Sequence, residues 1–525
     1  MRRAPWCVLL LLAAACTSDG QLDLAELPTN EQPFAEPEVR PDTPGNNLQF
    51  NFDRADLVET FGSTDGRFLI HFTRNGQNAV YLGDDDGNGV PDFVEQVASV
   101  YVEVLAYYES LGFRAPESDE SVPDNGGDDR FDVYLVDFAG VGDGAFRQDS
   151  CLVENSERCI GFMTQENDFV GYGYPSTLIA NRILGSHELF HAVQAAYDVN
   201  QGSVLSEGTA VWATEAFDPT LNDFEAFTDG YLENPDRPLD QPLPGPVDPF
   251  SYGSAIFFQF LAERYDPDAI RLLWERCENG GEGGADPIWM SQIDAVAAEI
   301  GAESFAEAMV EFATWNLYTD DFADPDVAYA NGEDLDRVKM EAVQAPYVDD
   351  EARLFYASTS YFSMMSGGRA EMTAALAASA DDPTSTEAIE ILLVTENGPN
   401  LTVKRVADVT AGSETLSTGG VDHFVVAIVN TATSGDSKKP GLCIGTVEEV
   451  ADCKLALASG EGGAGGAGGG DPGEGGSGGA GVGESDDGCG CRVEPGAPNA
   501  SACLLLLALC SLRGRARVAQ MRSWT

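Results

Sequence analysis

The chain carries His187-Glu188-Leu189-Phe190-His191 inside the run IANRILGSHELFHAVQAAYD, and these two are half of its 4 histidines. Ile179, Ile183, Leu184, Phe190 and Val193 recur there at helical spacing, so His187 and His191 lie one turn apart on one face of a predicted helix. Two imidazoles so placed can hold one metal ion. Zinc takes nitrogen donors at about 2 Å in a tetrahedral arrangement, and a catalytic site keeps one position open for water, so a third protein donor is required. Glu188, beside the first histidine, is placed to act as general base on that water.

The other histidines, His71 in RFLIHF and His423 in VDHFVVAIV, sit in strand-like runs without ligand spacing and read as ordinary strand residues. Glu207 is the better third donor. LSEGTAVWATEAF predicts a second helix with Ser206 as N-cap and Ala210, Val211, Ala213 and Phe217 on its apolar face. The first helix is then expected to end near Asp198-Val199-Asn200, and the chain to turn through Gln201-Gly202-Ser203 and return with Glu207 facing the metal.

HELFH followed by LSEGTAVW resembles the gluzincin metallopeptidases, thermolysin and the zinc aminopeptidases among them, whose second motif reads roughly W-L-x-E-G-x-A. The resemblance is carried by about residues 176 to 218 and implies zinc on His187, His191 and Glu207 with Glu188 as base. A closer resemblance is to secreted metalloproteases of myxobacteria that combine HExxH, an EGTA segment and an upstream DDDGNGVPD segment, all present in that order. One departure matters. Thermolysin steadies a zinc histidine with an Asp four residues after its third ligand, and Val211 stands at that position, leaving the histidine's partner unidentified. SYGSA is similar to the Y-x-K-G-A segment of the zinc aminopeptidases, whose tyrosine donates to the oxyanion, which makes Tyr252 the candidate for that role. In metallopeptidases of this kind an edge strand binds the substrate backbone, and ERCIGFMTQ is the candidate segment.

Upstream, Asp84 to Glu95 fits the calcium-loop pattern D-x-[DN]-x-[DN]-G-x5-E. Its oxygen ligands would be Asp84, Asp86, Asn88, Asp92, Glu95 and the carbonyl of Val90, with the turn at Gly89. Pro91 replaces the apolar residue that pairs two such loops, so one structural calcium is expected, fixing the start of a helix from about Phe93 to Leu111.

These residues need a scaffold. RFLIHF, NAVYL and FDVYLVDF read as strands, DPFSYGSAIFFQFLAERYDPDAIRLLWERC as two helices, and segments near 286 to 300 and 303 to 318 as two more. From about residue 350, RLFYAST, AIEILLV, LTVKRV and VDHFVVAIV alternate as strands between turn residues. The expected fold is α+β: a zincin-like catalytic domain over 49–335, built from a mixed sheet, the active-site helix and an α-helical lobe, then a small β-sandwich domain over 350–458.

The ends address the chain. MRRAPWCVLLLLAAAC reads as a secretory signal peptide over 1–15, with ordinary cleavage or, by resemblance to bacterial lipoprotein signals, lipidation at Cys16. Residues 16–48 are acidic and Pro-rich, a tether or a propeptide. In an exported chain Cys151 with Cys159 and Cys443 with Cys453 are disulfide candidates, and Cys277 stands outside these pairs. A Gly-rich linker (459–488) leads to 489–525, where Cys489-Gly490-Cys491, an apolar run short for a bilayer and an Arg cluster resemble the myxobacterial C-terminal sorting signal. That resemblance implies sorting and processing machinery as a partner, modification at Cys489 and Cys491, and anchorage to the membrane or cell surface.

A net charge of −58, from 87 acidic and 29 basic residues, argues against nucleic acid and anionic membrane surfaces as partners. The expected function is an exported zinc metallopeptidase acting on peptide or protein, with an endopeptidase ahead of an aminopeptidase. The latter would need an acid for the substrate amine, and Glu215 is the candidate although its helical phase points away from the metal. The competing class is a calcium-stabilised surface adhesin with a vestigial zinc site.

Overall fold

RFLIHF has apolar residues on both faces and so belongs inside a sheet rather than at its rim. The computed structural model describes residues 39–43, 50–152, 156–243, 248–278, 287–421 and 423–459. The signal peptide, most of 16–48, the linker beyond Ser459 and the C-terminal tail lie outside the described residues, and with them Cys16, Cys489 and Cys491. The architecture is α+β.

A five-stranded sheet is formed by β1 (Val58–Gly62), β2 (Phe68–Thr73), β3 (Phe131–Val136), β4 (Gly144–Cys151) and β5 (Cys159–Glu166), in the order β1-β2-β3-β5-β4. β2, β3 and β5 run parallel, and the outer strands β1 and β4 run antiparallel to their neighbours. NAVYL contributes only a single bridge, Thr73 to Ala79. The segment ERCIGFMTQ forms β5, buried along its whole length between β3 and β4, so the free edge belongs to β4 instead. A disulfide joins Cys151 and Cys159, the facing residues at the ends of that pair.

Helix α1 (Asp92–Ser110) and helix α2 (Thr177–Ala195) cover one face of the sheet, where Phe68, Ile70, Val133, Leu135 and Met163 pack with Val97, Tyr101 and Leu184. A buried polar chain fixes their register: Tyr101 donates to Gln165, Gln165 to Asn181 and Asn181 to Gln96. On the opposite face Phe52, Tyr134, Val136, Phe138 and Phe162 form a second small cluster.

Helix α3 (Ser203–Phe217) starts from Gly202, a turn before the expected cap, and α2 stops earlier than expected. Ser206 is therefore inside the helix, where its carbonyl and hydroxyl bind Gln194 rather than capping backbone amides. Then follow α4 (Phe224–Leu232), α5 (Pro249–Gly253), α6 (Ala255–Arg264), α7 (Asp268–Cys277), α8 (Trp289–Glu299) and α9 (Phe305–Trp315). The SYGSA segment splits the first of its two predicted helices into α5 and α6. A Cβ at Gly253 would lie 2.4 Å from the amide nitrogen of Tyr231, so α5 crosses α4 at a contact only glycine permits. Cys277 is a buried thiol in this lobe.

The C-terminal strands are β6 (Glu341–Ala342), β7 (Tyr347–Asp349), β8 (Ser358–Met365), β9 (Glu371–Ala377), β10 (Ile389–Asn397), β11 (Asn400–Arg405), β12 (Leu416–Ser417), β13 (His423–Asn430) and β14 (Gly441–Gly445). They make one sheet of order β11-β10-β13-β8-β6 and another of order β12-β9-β14-β7. RLFYAST mostly precedes β8, and the Ala-rich β9 carries little strand signal of its own. A disulfide ties Cys443 of β14 to Cys453 of the closing helix α10 (Val447–Ser459).

The larger of these sheets is buried on both faces. Phe362, Leu393, Val426 and Ile428 face the second sheet, whereas Tyr361, Leu392, Val394, Val425 and Val429 join the core of the helical lobe. The Tyr361 hydroxyl donates to the carbonyl of Ala313 in α9 at 2.8 Å. Among the described residues no helix is long and apolar enough to cross a membrane.

Candidate metal centre

Two helices present the donors. Ser186 meets Thr214 at 3.0 Å and Gln194 meets the Ser206 carbonyl at 2.8 Å, so α2 and α3 pack antiparallel with His187, His191 and Glu207 between those ties. Gly208 permits the approach of the next layer, since a Cβ there would stand 2.7 Å from the Phe258 ring.

Nε2 of His187 lies 3.2 Å from Nε2 of His191, and Oε2 of Glu207 lies 3.3 and 3.4 Å from them. Three donors at nearly equal spacing form a triangle that one metal ion can span. Burial alone would lower the pKa of His191, but the Glu207 carboxylate pushes it up to about 9. Burial would likewise raise Glu207, yet His191 and His187 hold it well below the usual carboxylate range. A metal entering this triangle displaces that proton.

The outer partner of His191 is Gln194. Its amide nitrogen donates to the Ser206 carbonyl at 2.8 Å and to Thr209 Oγ1 at 3.0 Å, which leaves Oε1 to accept from His191 Nδ1 at 2.8 Å. The hydrogen on Nδ1 then directs the Nε2 lone pair into the triangle. Trp274 Nε1 donates to the same Thr209 hydroxyl, extending the support to α7. Gln194→Leu is expected to weaken metal binding by about 10- to 100-fold with the fold retained, as read by titration against a chelator of known affinity. The partner thus comes from the metal-binding helix itself, three residues past His191, rather than from the position of Val211.

Glu188 is half-buried, and its Oε2 accepts the backbone N–H of Phe146 on β4 at 2.9 Å. Tyr252 stacks on His187 with ring centroids 5.9 Å apart and on Phe227 at 5.2 Å. Burial, then the charges of Glu207 and Glu188, raise its phenol well above the ordinary value, so it stays protonated and can donate. The structure therefore brings together all five residues singled out by sequence for this site.

It also adds residues that spacing did not announce. Asp143, just before β4, accepts from the Tyr174 hydroxyl, and burial pushes its pKa up to about 6. Asp223, just before α4, is pushed to about 6 by burial, against the pull of His187 and with the help of Asp143. His187 is among the electrostatic neighbours of both. No pattern in the sequence links them, because they come from loops joined only by the fold. Glu215 is turned elsewhere: burial, followed by Glu225 and Glu263, raises it to about 8.

In the second acidic site, the carboxylates of Asp84, Asp86 and Asp92 converge within 4.8 Å of one another at the start of α1. Glu95 Oε1 accepts from the Asn88 side-chain amide at 2.7 Å, and the Val90 N–H donates to Asn88 Oδ1 at 2.8 Å. Gly89 N–H and Asn88 N–H close the loop onto Asp84. His71 lies in β2 against Asp132, and His423 is exposed at the start of β13, so neither approaches the triangle.

Compared with protein-family models and with curated proteins, the chain matches none.

Proposed function

We propose that the protein is an exported zinc metallopeptidase that hydrolyses peptide bonds of proteins. The observation carrying this reading is the donor triangle with Glu188 beside it. A tetrahedral zinc with bonds of about 2.05 Å requires donors about 3.3 Å apart, and the edges measured are 3.2, 3.3 and 3.4 Å. Two imidazoles and one carboxylate suit zinc, and they leave a fourth position for water.

Zinc bound there supplies an activated water and polarises the scissile carbonyl. Glu188, held by the Phe146 amide, takes the proton from the attacking water and passes it to the leaving amine. Tyr252, protonated and beside Glu207, donates to the developing oxyanion. His187, His191 and Glu207 fix the geometry, and Gln194 holds the His191 tautomer.

Calcium on Asp84, Asp86 and Asp92 would pin the first turn of α1 against the sheet. Its expected signature is an unfolding temperature that rises on adding calcium, and no rise in the wild type would remove this reading. Export rests on the signal-like N-terminus together with two disulfides. Surface attachment and the sorting machinery rest on the resemblance of 489–525 to a sorting signal.

Asp143 and Asp223 favour a second reading, an aminopeptidase, because carboxyl groups that His187 influences electrostatically could hold a substrate amine. One assay decides between the two. Casein and paired peptides with free or acetylated N-termini are incubated with the zinc- and calcium-loaded protein, with and without chelator. Chelator-sensitive cleavage of casein and of acetylated peptides supports the endopeptidase. Cleavage of free peptides only supports the aminopeptidase, and no cleavage of any substrate removes both.

A further inference from the structure

Arg40 precedes β1 in the chain and is distant in sequence from Asp119, Asp132 and Asp149, yet its side chain is only 3% exposed. A guanidinium is not buried without counter-charges. Three carboxylates from three separate elements surround it. Nη2 lies 2.8 Å from Asp119 Oδ2, in the loop after α1, and Nε lies 3.0 Å from Asp149 Oδ2 on β4. Nη1 pairs with Asp132 of β3, whose other oxygen meets His71 Nε2 at 2.7 Å. The guanidinium carbon sits 5.2 Å from the ring centre of Phe162 on β5.

Asp149 sits at an irregularity in the β4 ladder. β4 pairs with β5 through Gln148 with Gly161 and through Ser150 with Ile160, which leaves Asp149 as the extra residue of a bulge. β4 is the edge strand, held by a ladder on one side and by the Cys151–Cys159 disulfide at its C-terminal end. Its outer side provides the Phe146 N–H that holds Glu188, three residues from the bulge. One strand thus joins the Arg40 cluster to the base.

We infer that Arg40 is a positioning residue for Glu188: by gathering Asp119, Asp132 and Asp149 it fixes the bulge and, through β4, the Phe146 amide. This rests on the metallopeptidase reading for its effect on turnover. Without the guanidinium, three buried carboxylates face one another, and the strand with one ladder is the element able to move outward. The segment 39–43 is then a working part of the catalytic unit, so processing that matures the enzyme must cut on the N-terminal side of Arg40.

The test uses the full exported chain, loaded with zinc, as wild type, Arg40→Gln, Arg40→Lys and Asp149→Asn. Turnover is measured together with amide hydrogen exchange along Gly144–Cys151. Arg40→Gln should lower kcat by about tenfold or more, since small misplacements at a reacting centre are costly, while KM and zinc content change little. Exchange should quicken in β4 and not in α3, and millimolar guanidinium ion should restore both readouts in part. Arg40→Lys, which keeps the charge without the fork, should fall between. If Arg40→Gln does not fold, Asp149→Asn carries the test through the same β4 exchange. Folded variants with wild-type kcat and wild-type β4 exchange would overturn the inference, as would a uniform rise in exchange across the chain. A wild type that cleaves nothing would end the peptidase reading alone, because β4 exchange still reports whether Arg40 holds the strand.

Discussion

Replacing Glu188 by Gln is expected to remove hydrolysis almost entirely, by about a thousandfold or more, while the chain still binds one zinc ion per molecule. The substitution is narrow in its effects. Glutamine keeps the shape and still offers a carbonyl oxygen to the Phe146 N–H, so the side chain stays where Glu188 is held. What it loses is the capacity to take a proton from water and return it to the departing amine. Glu188 is outside the donor triangle, so metal content should not change. Turnover of casein, with zinc measured on the same sample, checks both halves. A variant as active as the wild type would assign the base to another residue. A wild type that binds zinc and cleaves nothing would favour the surface module over the enzyme.

Glu207→Ala has the complementary signature, loss of both metal and activity. Glu207 is the only anionic member of the triangle, lying 3.3 and 3.4 Å from the two imidazole nitrogens. Its removal leaves two neutral donors and ends the electrostatic pull that raises His191. Loss of an outer partner alone costs about 10- to 100-fold in affinity, so loss of a direct donor should exceed about a hundredfold. Chelator competition should report the weakened affinity and cleavage should vanish with it. Retention of one tightly bound zinc would show that Glu207 is not the third ligand. Together the two variants separate holding the metal from using it.

The centre was legible in the sequence where its residues share an element or follow one another closely. His187 and His191 are fixed by the helical repeat, and Glu207 by the next helix, whose contact with α2 needs only a short turn. Gln194 was within reach as well, on the same helix as His191, but helical spacing alone cannot say which polar neighbour turns toward an imidazole. Asp143 and Asp223 could not be read, because loops distant in the chain meet there only after the sheet and α4 have formed. The edge strand differs from the sequence expectation for a related reason. Nothing in CIGFMTQE distinguishes an edge from an interior strand, and GAFRQDSC, which carries no clean apolar alternation, becomes the edge strand only through the pairing order. Among the C-terminal strands, β9 is not legible in the sequence because Ala-rich EMTAALA becomes a strand through its neighbours rather than its own preference.

The sheet of β8, β10 and β13 bears on how such a protein can be inherited. Modules that move between genes are those whose surfaces close without their neighbours. This sheet does not close: one face completes the sandwich and the other completes the helical lobe, down to the Tyr361 bond to Ala313. A gene fragment ending near residue 340 would encode the metal-centre part with an open apolar surface over α9, and one starting there a sandwich with a bare flank. The two parts should therefore descend as one unit, and a relative possessing either alone would need a different set of residues at 361, 392, 394, 425 and 429.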